Sequence, residues 1–270
     1  CVYHGWKFDV TGQCIDMPNE PAESNFKNKV RARSYAVQER GGVLWVYMGA
    51  NQAAAPPLPD LEANMLPDGQ SMVGMFQREC NYMQALEGDI DTGHTVFLHT
   101  GHMTIKDAPS GSWGYAALAD RAPRYEAVDT EVGTMYTAYR PAGDDVYYRI
   151  AQFLFPFYTM IPTGVLGLEV RVRAWVPIDD GHTFGLGMHK VAGVDVSSAG
   201  PRFRDPTKLL PNSTDWLGRF RTEANAGNDF QIDRGRQRRL ESYTGLPSVT
   251  LEDQAVTCLL YTSDAADDLT

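Results

Sequence analysis

The sequence predicts an α+β fold in which helices pack against an antiparallel sheet. Residues 124–190 contain three long stretches rich in β-branched and aromatic residues, which are typical of strands. Residues 76–99 predict a helix interrupted near Gly88 and Gly93, and the polar, charged residues 213–241 predict a partly helical segment. The strands are flanked by helices and do not alternate with them, so the pattern disfavours a doubly wound parallel sheet.

A change of composition near residue 51 divides the chain. Residues 1–50 combine short apolar or alternating runs with glycine turns, which predicts a small β-unit. Residues 51–60, with the sequence NQAAAPPLPD, predict a linker. The main domain is then expected to span residues 61–257.

The last residues of the chain do not continue the pattern that precedes them. Cys258 to Asp268 back-translates onto the transposon-end adapter of sequencing libraries, so we expect residues 258–270 to be an artefact that makes few contacts. Thr257 is then the last natural residue, and the alternative is an ordinary frayed tail. The chain also begins at Cys1 in the middle of a motif, so an upstream segment is expected.

Composition argues against several classes of protein. The 270 residues carry a formal net charge of −10, which argues against nucleic acid as a partner. No apolar run of about 18 residues occurs, so no membrane-spanning helix is predicted. Four cysteines do not make a disulfide scaffold in a chain of this length, and a reducing, cytoplasmic location is expected.

A first candidate site lies at the start of the chain, where Cys1 and His4 form a C-x-x-H pair. Some two-iron clusters are held by two cysteines and two histidines, with both histidines on one iron. Gly5 allows the backbone to pass close to a cluster, and Trp6 would shield it from water. With two of the four ligands, this chain is not expected to hold an intact cluster. A buried cysteine beside a surface histidine is the competing interpretation.

A second candidate site is the sequence DTGHTVFLH, in which Asp91, His94 and His99 form D-x-x-H-x-x-x-x-H. Two histidines and a carboxylate on one face of Fe(II) are typical of non-heme oxygenases. Residues five apart on a straight helix point about 140° apart, so convergence of the histidines predicts a π-type bulge. Asp91, three residues before His94, is predicted to accept a hydrogen bond from its imidazole. Two buried core histidines are the competing interpretation.

Together, these motifs and their flanking sequences resemble Rieske non-heme iron oxygenase α subunits. CVYHGWKFDVTGQC is similar to the second half of the Rieske signature, and CNYMQALEGDIDTGHTVFLH is similar to the iron-site helix. The resemblance points to the phthalate 4,5-dioxygenase-like group, which includes aromatic O-demethylases. It extends over most of residues 1–257 and includes FLFPFYTMIP and NDFQIDR. Tyr82 departs from the pattern, because the family usually has Trp there.

The resemblance implies the C-terminal part of a Rieske β-domain in residues 1–50, followed by a helix-grip catalytic domain. It implies that Cys1 and His4 bind a [2Fe–2S] cluster whose site is incomplete in this chain. It also implies a mononuclear Fe(II) bound by His94 and His99.

The same resemblance implies a third iron ligand from a late helix. The sequence TLEDQAVT places Asp253 in that position, with Glu252 as the neighbouring alternative. A solvated helix N-terminus is the competing interpretation of this acidic pair. The family further implies that Asp91 is an electron-transfer bridge to His4 of the adjacent subunit.

The implied function is the oxygenase component of an enzyme that hydroxylates an aromatic, carboxylated substrate with O2. NADH-derived electrons come from a separate flavin and iron–sulfur reductase, and the subunits form a homotrimer or a dimer of trimers. Aromatic O-demethylation is the alternative within the family. A zinc hydrolase and a ligand-binding helix-grip module with a vestigial site are the alternatives outside it. Arg140, Arg171 and Arg173 could face a carboxylated substrate or solvent.

Overall fold

The computed structural model describes residues 1–67, 69–162, 170–190 and 207–260, apart from the side chain of Leu260. The chain divides into two compact units, Cys1–Asp60 and Leu61–Thr270. Within the described ranges, no helix is both long enough and apolar enough to cross a bilayer.

The smaller unit contains two short antiparallel hairpins. In the first, β1 (Lys7–Phe8) pairs with β2 (Cys14–Asp16), and in the second, β3 (Val37–Arg40) pairs with β4 (Val43–Val46). The carboxylate of Asp9 accepts hydrogen bonds from two backbone amides of the first turn. This side-chain capping of a turn fixes where the first hairpin reverses.

Residues 51–60, predicted as a linker, are part of the smaller unit in the structure. Gln52 attaches the start of this segment to the second hairpin. Its side-chain amide donates hydrogen bonds to the carbonyl oxygens of Tyr47 and Gly49, and its oxygen accepts one from the amide of Ala36. A side chain that satisfies three backbone groups makes this stretch more than a free connection.

The larger unit contains a seven-stranded antiparallel sheet with the strand order β5-β11-β10-β9-β8-β7-β6. Its strands are β5 (Met72–Arg78), β6 (Arg124–Thr130), β7 (Gly133–Ala142), β8 (Asp145–Leu154), β9 (Tyr158–Met160), β10 (Val170–Asp179) and β11 (His182–Lys190). The described residues of the stretches predicted as strands within residues 124–190 lie mainly in β6 to β11. Because no pairing in the described sheet is parallel, the predicted α+β class is confirmed.

Five α-helices accompany the sheet in the described residues: α1 (Tyr82–Ile90), α2 (Thr95–Leu98), α3 (Trp113–Ala119), α4 (Arg234–Arg238) and α5 (Val249–Leu260). The predicted helix over residues 76–99 is wrong at its start, where Phe76–Arg78 completes β5 instead. Asn81 begins α1, because its side chain accepts a hydrogen bond from a backbone amide of the first turn and its own amide donates to Gln84.

The core of the larger unit lies between the sheet and the helices α1 and α5. It includes Cys80, Ala85, Leu86, Trp175, Ala224, Phe230, Leu246, Leu251, Ala255 and Cys258. Trp175, which is completely buried, is the largest of these side chains. Burying a large apolar side chain contributes roughly 1.5–3 kcal/mol to folding, so this cluster is a main source of stability for the unit.

Gly88 lies inside α1 and does not interrupt it, in contrast to the prediction. A Cβ atom at this position would lie 2.9 Å from Cγ2 of Thr257 on α5. The glycine therefore allows the two helices to approach closely. This contact matters for function because α5 carries the acidic pair and α1 leads directly into the histidine motif.

The expectation that residues 258–270 make few contacts is wrong at Cys258, which is buried in the core cluster. The physical reason is helical periodicity: Leu251, Ala255 and Cys258 recur on one face of α5. Leu259 on the next face is 47% exposed. Residues 261–270 lie outside the described part of the chain.

A buried carboxylate fixes α1 to the sheet. Asp89, whose side chain is 2% exposed, forms an ion pair with Arg173 on β10. It also accepts hydrogen bonds from Oγ1 of Thr159 at 2.5 Å and from Nε1 of Trp175 at 3.2 Å. Since four groups meet at this point, the end of α1 has a defined position on the sheet.

Candidate metal centre

Two side chains from one short segment and a third from a distant helix converge just beyond the end of α1. Nε2 of His94 lies 3.1 Å from Nε2 of His99 and 3.4 Å from Oδ1 of Asp253. Nε2 of His99 lies 3.1 Å from the same carboxylate oxygen. Among the described residues, these are the only three His, Cys, Asp or Glu side chains grouped closely enough to share a metal ion.

The two histidines converge because the helix is broken. Asp91 ends α1 in an extended conformation, and the chain restarts as the single turn α2. His94 lies immediately before this turn and His99 immediately after it. The predicted π-type bulge is therefore wrong, and a break at residues 91–94 produces the same convergence.

Asp91 organises this break. One carboxylate oxygen accepts a hydrogen bond from the amide of Gly93 at 2.7 Å, and the other accepts from the amide of His94 at 2.9 Å. Nδ1 of His94 lies 3.1 Å from the second oxygen. The same carboxylate therefore shapes the backbone before α2 and directs Nε2 of the imidazole toward the other two side chains.

Helix α5 brings two acidic side chains to the site, and they have different positions. Asp253 faces both histidines, whereas Oε2 of Glu252 lies 2.8 Å from Nδ1 of His99, on the far side of the ring. Consecutive helical residues point about 100° apart, which explains why the pair divides in this way. The competing interpretation of a solvated helix N-terminus does not hold, because both carboxylates are mostly buried.

The electrostatics of the cluster favour opposite charges on its members. Burial acts to lower the pKa of His94, but the hydrogen bonds and charges of Asp253 and Asp91 outweigh it and raise that pKa to about 9. The pKa of His99 is also raised, because the hydrogen bonds of Asp253 and Glu252 outweigh the lowering effect of burial. Burial alone would raise the pKa of Asp253, but the two histidines and Arg78 lower it. Positive charge is therefore stabilised at this point, whether protons on the histidines or a metal ion carry it.

The distances fit a metal ion held by two histidines and a carboxylate. Ligand atoms about 2.1 Å from a metal lie about 3.0 Å apart at octahedral right angles and about 3.4 Å apart in a tetrahedron. Two of the three separations are 3.1 Å. The arrangement suits a facial triad with open positions, which is the donor set of non-heme Fe(II) oxygenases.

The C-x-x-H segment forms a tight, exposed loop in the smaller unit. The amide of Gly5 donates to the carbonyl oxygen of Cys1 at 2.9 Å, and Gly5 has a positive φ of 74°. Both Cys1 and His4 are exposed, and the His4 ring packs edge-on against Tyr3. The loop presents one thiol and one imidazole, half the donors of a mixed two-iron site.

Comparison with known proteins places the chain in a family. Residues 46–266 match the family described as LigXa C-terminal domain like. The chain is 40% identical, over 267 residues, to the 3-chlorobenzoate-3,4-dioxygenase oxygenase subunit of Comamonas testosteroni. It is 35% identical, over 194 residues, to the phthalate 4,5-dioxygenase oxygenase subunit of Pseudomonas putida. The chain belongs to the Rieske oxygenase α subunits.

Within these α subunits the chain is phthalate dioxygenase-like, and the family implies iron-based cofactors. The alignments cover 95% and 68% of this chain, but 61% and 43% of the two relatives, so the chain spans only part of their length. A solved structure titled dicamba monooxygenase bound to dicamba superposes with a TM-score of 0.57 at 16% identity, covering 100% of this chain and 72% of that one. This likeness confirms the expected fold.

Sequence reasoning missed one functional contact and misjudged two arginines. The sequence offers Glu252 only as an alternative ligand, but the structure places it against Nδ1 of His99, because two successive helical residues point in different directions. Arg173, considered as a group facing substrate or solvent, pairs with Asp89. Arg140 is 1% exposed and donates to the backbone oxygens of residues 117 and 120, so it faces neither. Both arginine contacts are non-local, and no local pattern marks them.

Proposed function

We propose that this chain is the catalytic part of an oxygenase component that hydroxylates an aromatic, carboxylated substrate with O2. His94, His99 and Asp253 would hold a single Fe(II), and electrons from NADH would arrive through a separate flavin and iron–sulfur reductase. For a dihydroxylation, substrate, O2, NADH and H⁺ give a cis-dihydrodiol and NAD⁺. O-demethylation of an aromatic ether is the alternative outcome at the same site.

The observation that carries this proposal is the triangle of two histidine nitrogens and one carboxylate oxygen, with sides of 3.1–3.4 Å. When bound there, Fe(II) supplies O2 chemistry through its remaining coordination positions. A zinc hydrolase would use a similar donor set. Relatives named as dioxygenase and monooxygenase oxygenase subunits favour iron.

The chain's own residues have separate tasks in this proposal. His94 and His99 keep their Nε2 atoms directed at one point, and Asp253 adds the negative charge that a divalent cation requires. Asp91 fixes the ring of His94 through Nδ1. The three donor atoms converge on one point, which is the geometry that binding of a cation requires.

Electron delivery is the second part of the proposal. Cys1 and His4 would supply half of the ligands of a [2Fe–2S] cluster, and a second cysteine and histidine would supply the other half. Asp91 is 48% exposed at its side chain, so a group on another subunit can reach it. We propose that it bridges His94 to His4 of a neighbouring subunit in a homotrimer or a dimer of trimers.

Basic side chains on one face of the sheet support a carboxylated substrate. Arg171 lies directly opposite His189 in the β10–β11 register, so their side chains share a face. Arg173 lies two residues further along β10 on the same face, where Asp89 of α1 contacts it. Burial, together with the charges of Arg171 and Arg173, lowers the pKa of His189. Because Asp89 neutralises Arg173, we assign the attraction of an aromatic acid on this face to Arg171.

A peroxide assay tests the proposed function on the chain as it exists. Hydrogen peroxide supplies both the oxygen atoms and the two electrons that O2 and NADH would otherwise supply. Protein loaded anaerobically with Fe(II) should convert a member of a panel of benzoates, phthalates and methoxybenzoates into an oxygenated or demethylated product. The control is Asp253→Ala treated in the same way. Product formation that is equal in both proteins, or absent throughout the panel, would contradict the proposal.

The carboxylate preference has its own test. Arg171→Met should raise the KM for an aromatic acid by about tenfold, because a charge-assisted hydrogen bond contributes roughly 1.5–3 kcal/mol. The KM for an uncharged aromatic of the same shape should stay unchanged, as should Fe(II) binding. An equal change for both substrates would indicate a structural role for Arg171 instead.

A further inference from the structure

Glu252 makes a contact that ligand binding by Asp253 does not require. Its Oε2 lies 2.8 Å from Nδ1 of His99, and its Oε1 accepts a hydrogen bond from Oγ1 of Thr244 at 2.6 Å. The side chains of Glu252 and His99 are only 14% and 11% exposed. A carboxylate that is mostly withdrawn from water and bonded through both oxygens has a fixed position.

The direction of each hydrogen bond follows from the neighbouring donors. The amide of Leu246 donates to Oγ1 of Thr244, so the Thr244 hydroxyl is free to donate its own proton to Glu252. An ionised carboxylate only accepts, which makes Nδ1 of His99 the donor. A neutral imidazole that carries its proton on Nδ1 has its lone pair on Nε2, the atom that faces Asp253 and His94.

Glu252 cannot exchange roles with Asp253 in this geometry. The two ring nitrogens of an imidazole point in divergent directions, so a carboxylate on Nδ1 lies on the side of the ring away from the triangle. The one-residue offset on α5 produces this division, because successive helical side chains diverge by about 100°. The acidic pair therefore supplies one group to the triangle and one group behind it.

We infer that Glu252 is a positioning residue, which with Thr244 fixes the ring orientation and tautomer of His99 so that its Nε2 can bind the metal. This inference rests on the proposed function, since it assumes that His94, His99 and Asp253 bind a divalent cation. It gives each histidine its own carboxylate. Asp91, three residues before His94, contacts Nδ1 of that ring. Glu252, 153 residues after His99, contacts Nδ1 of the other ring.

Metal affinity is the first measurement. Anaerobic Fe(II) titration and Zn(II) titration of the whole metal-free chain should each give about one equivalent bound. Glu252→Ala should weaken both affinities by roughly 10–100-fold, as loss of a partner behind a histidine ligand does elsewhere. Glu252→Gln keeps one acceptor and should lose less. Thr244→Val leaves the carboxylate in place but removes its anchor, so a loss of a few-fold is expected. Glu126→Ala, an exposed carboxylate on β6, is the matched control and should change nothing.

The tautomer is the second measurement, and a merely structural role would not move it. In the Zn(II)-loaded, ¹⁵N-labelled protein, His99 should show a metal-bound Nε2 and a slowly exchanging Nδ1 proton. That proton should exchange much faster with solvent in Glu252→Gln and Thr244→Val, both of which retain most of the packing. His94 serves as the internal reference, because its Nδ1 partner is Asp91.

The outcomes separate this inference from the function on which it rests. If the unmodified chain binds neither Fe(II) nor Zn(II), the proposed metal site itself is wrong. If it binds both, but Glu252→Ala or Glu252→Gln retains full affinity and an unchanged Nδ1 proton, then only the role of Glu252 is overturned. If Glu252→Ala does not fold, Glu252→Gln and Thr244→Val still decide between these outcomes.

Discussion

The two compact units build their candidate sites in different ways. In the smaller unit, Cys1 and His4 come from one four-residue loop, and both are exposed. In the larger unit, His94 and His99 meet Asp253 from a helix at the other end of the sequence, and all three are partly buried. A short motif thus places its donors close together in one unit, while the packing of the whole unit does so in the other.

The two units also differ in their packing. In the smaller unit, Cys14 and Met17 are the buried apolar side chains, while Val2, Tyr3, Leu44 and Met48 are largely exposed. The larger unit buries a continuous cluster around Trp175. Donor atoms keep a fixed geometry only where the surrounding side chains hold their rotamers. We therefore expect changes in the larger unit to have large effects and matched changes in the smaller unit to have small ones.

The largest expected effect is on metal binding. Asp253→Ala should reduce the Fe(II) affinity of the chain by more than about 100-fold, because loss of a direct ligand exceeds the 10–100-fold loss caused by outer partners. Cys1→Ser should leave that affinity unchanged. Anaerobic titration followed by iron analysis measures both. Equal losses in the two variants would remove the distinction between the units.

The next effect is on stability. Asp89→Ala should lower the free energy of unfolding by roughly 3–5 kcal/mol, because it leaves the partly buried Arg173 without its carboxylate. The matched change is Asp16→Ala, which breaks the exposed Lys7–Asp16 ion pair of the smaller unit. That variant should unfold at the same urea concentration as the unmodified protein. A small effect at Asp89 would mean that the end of α1 is held by other contacts.

Protons would compete with the proposed metal in the larger unit. His94 has a pKa of about 9 without metal, above its unfolded value, so its contribution to stability is full below about pH 6.5 and is lost as pH rises through 9. A metal ion must displace that proton. Between pH 8.5 and 6.5 the apparent Zn(II) affinity should therefore fall by about tenfold per pH unit for each proton displaced. Calorimetry in buffers of different ionisation enthalpy counts these protons, and a pH-independent affinity would contradict the prediction.

The smallest effect concerns the contact between α1 and α5. Gly88→Ala gains about 1 kcal/mol of helix propensity but forces a methyl group against Thr257. We expect a net loss of about 1 kcal/mol in the free energy of unfolding. Thr257→Ser removes the opposing methyl group and keeps the hydroxyl that donates to the carbonyl oxygen of Asp253. The double variant should recover the loss, and strictly additive effects would exclude this clash as its cause.

Sequence reasoning was most successful where the signal is local. The strands of residues 124–190 and the spacing of His94 and His99 follow from short-range periodicity and ligand chemistry. The sequence predicts a bulge where the structure has a break at residues 91–94. Either a bulge or the capping of two backbone amides by Asp91 can bring the histidines together, and the local sequence does not decide between them. The ion pair of Asp89 depends on register across the sheet, which the sequence does not display.

The histidines and the carboxylates of the candidate metal site lie far apart in the sequence, and this separation sets an order of events during synthesis. Glu252 is synthesised 153 residues after His99, and translation at about 5–20 residues per second makes this delay roughly 8–30 s. A nascent chain therefore exposes both histidines well before the carboxylates of α5 exist. Under the proposed function, metal capture by all three ligands would follow the docking of α5, so iron loading would be a late step that only a folded catalytic unit completes.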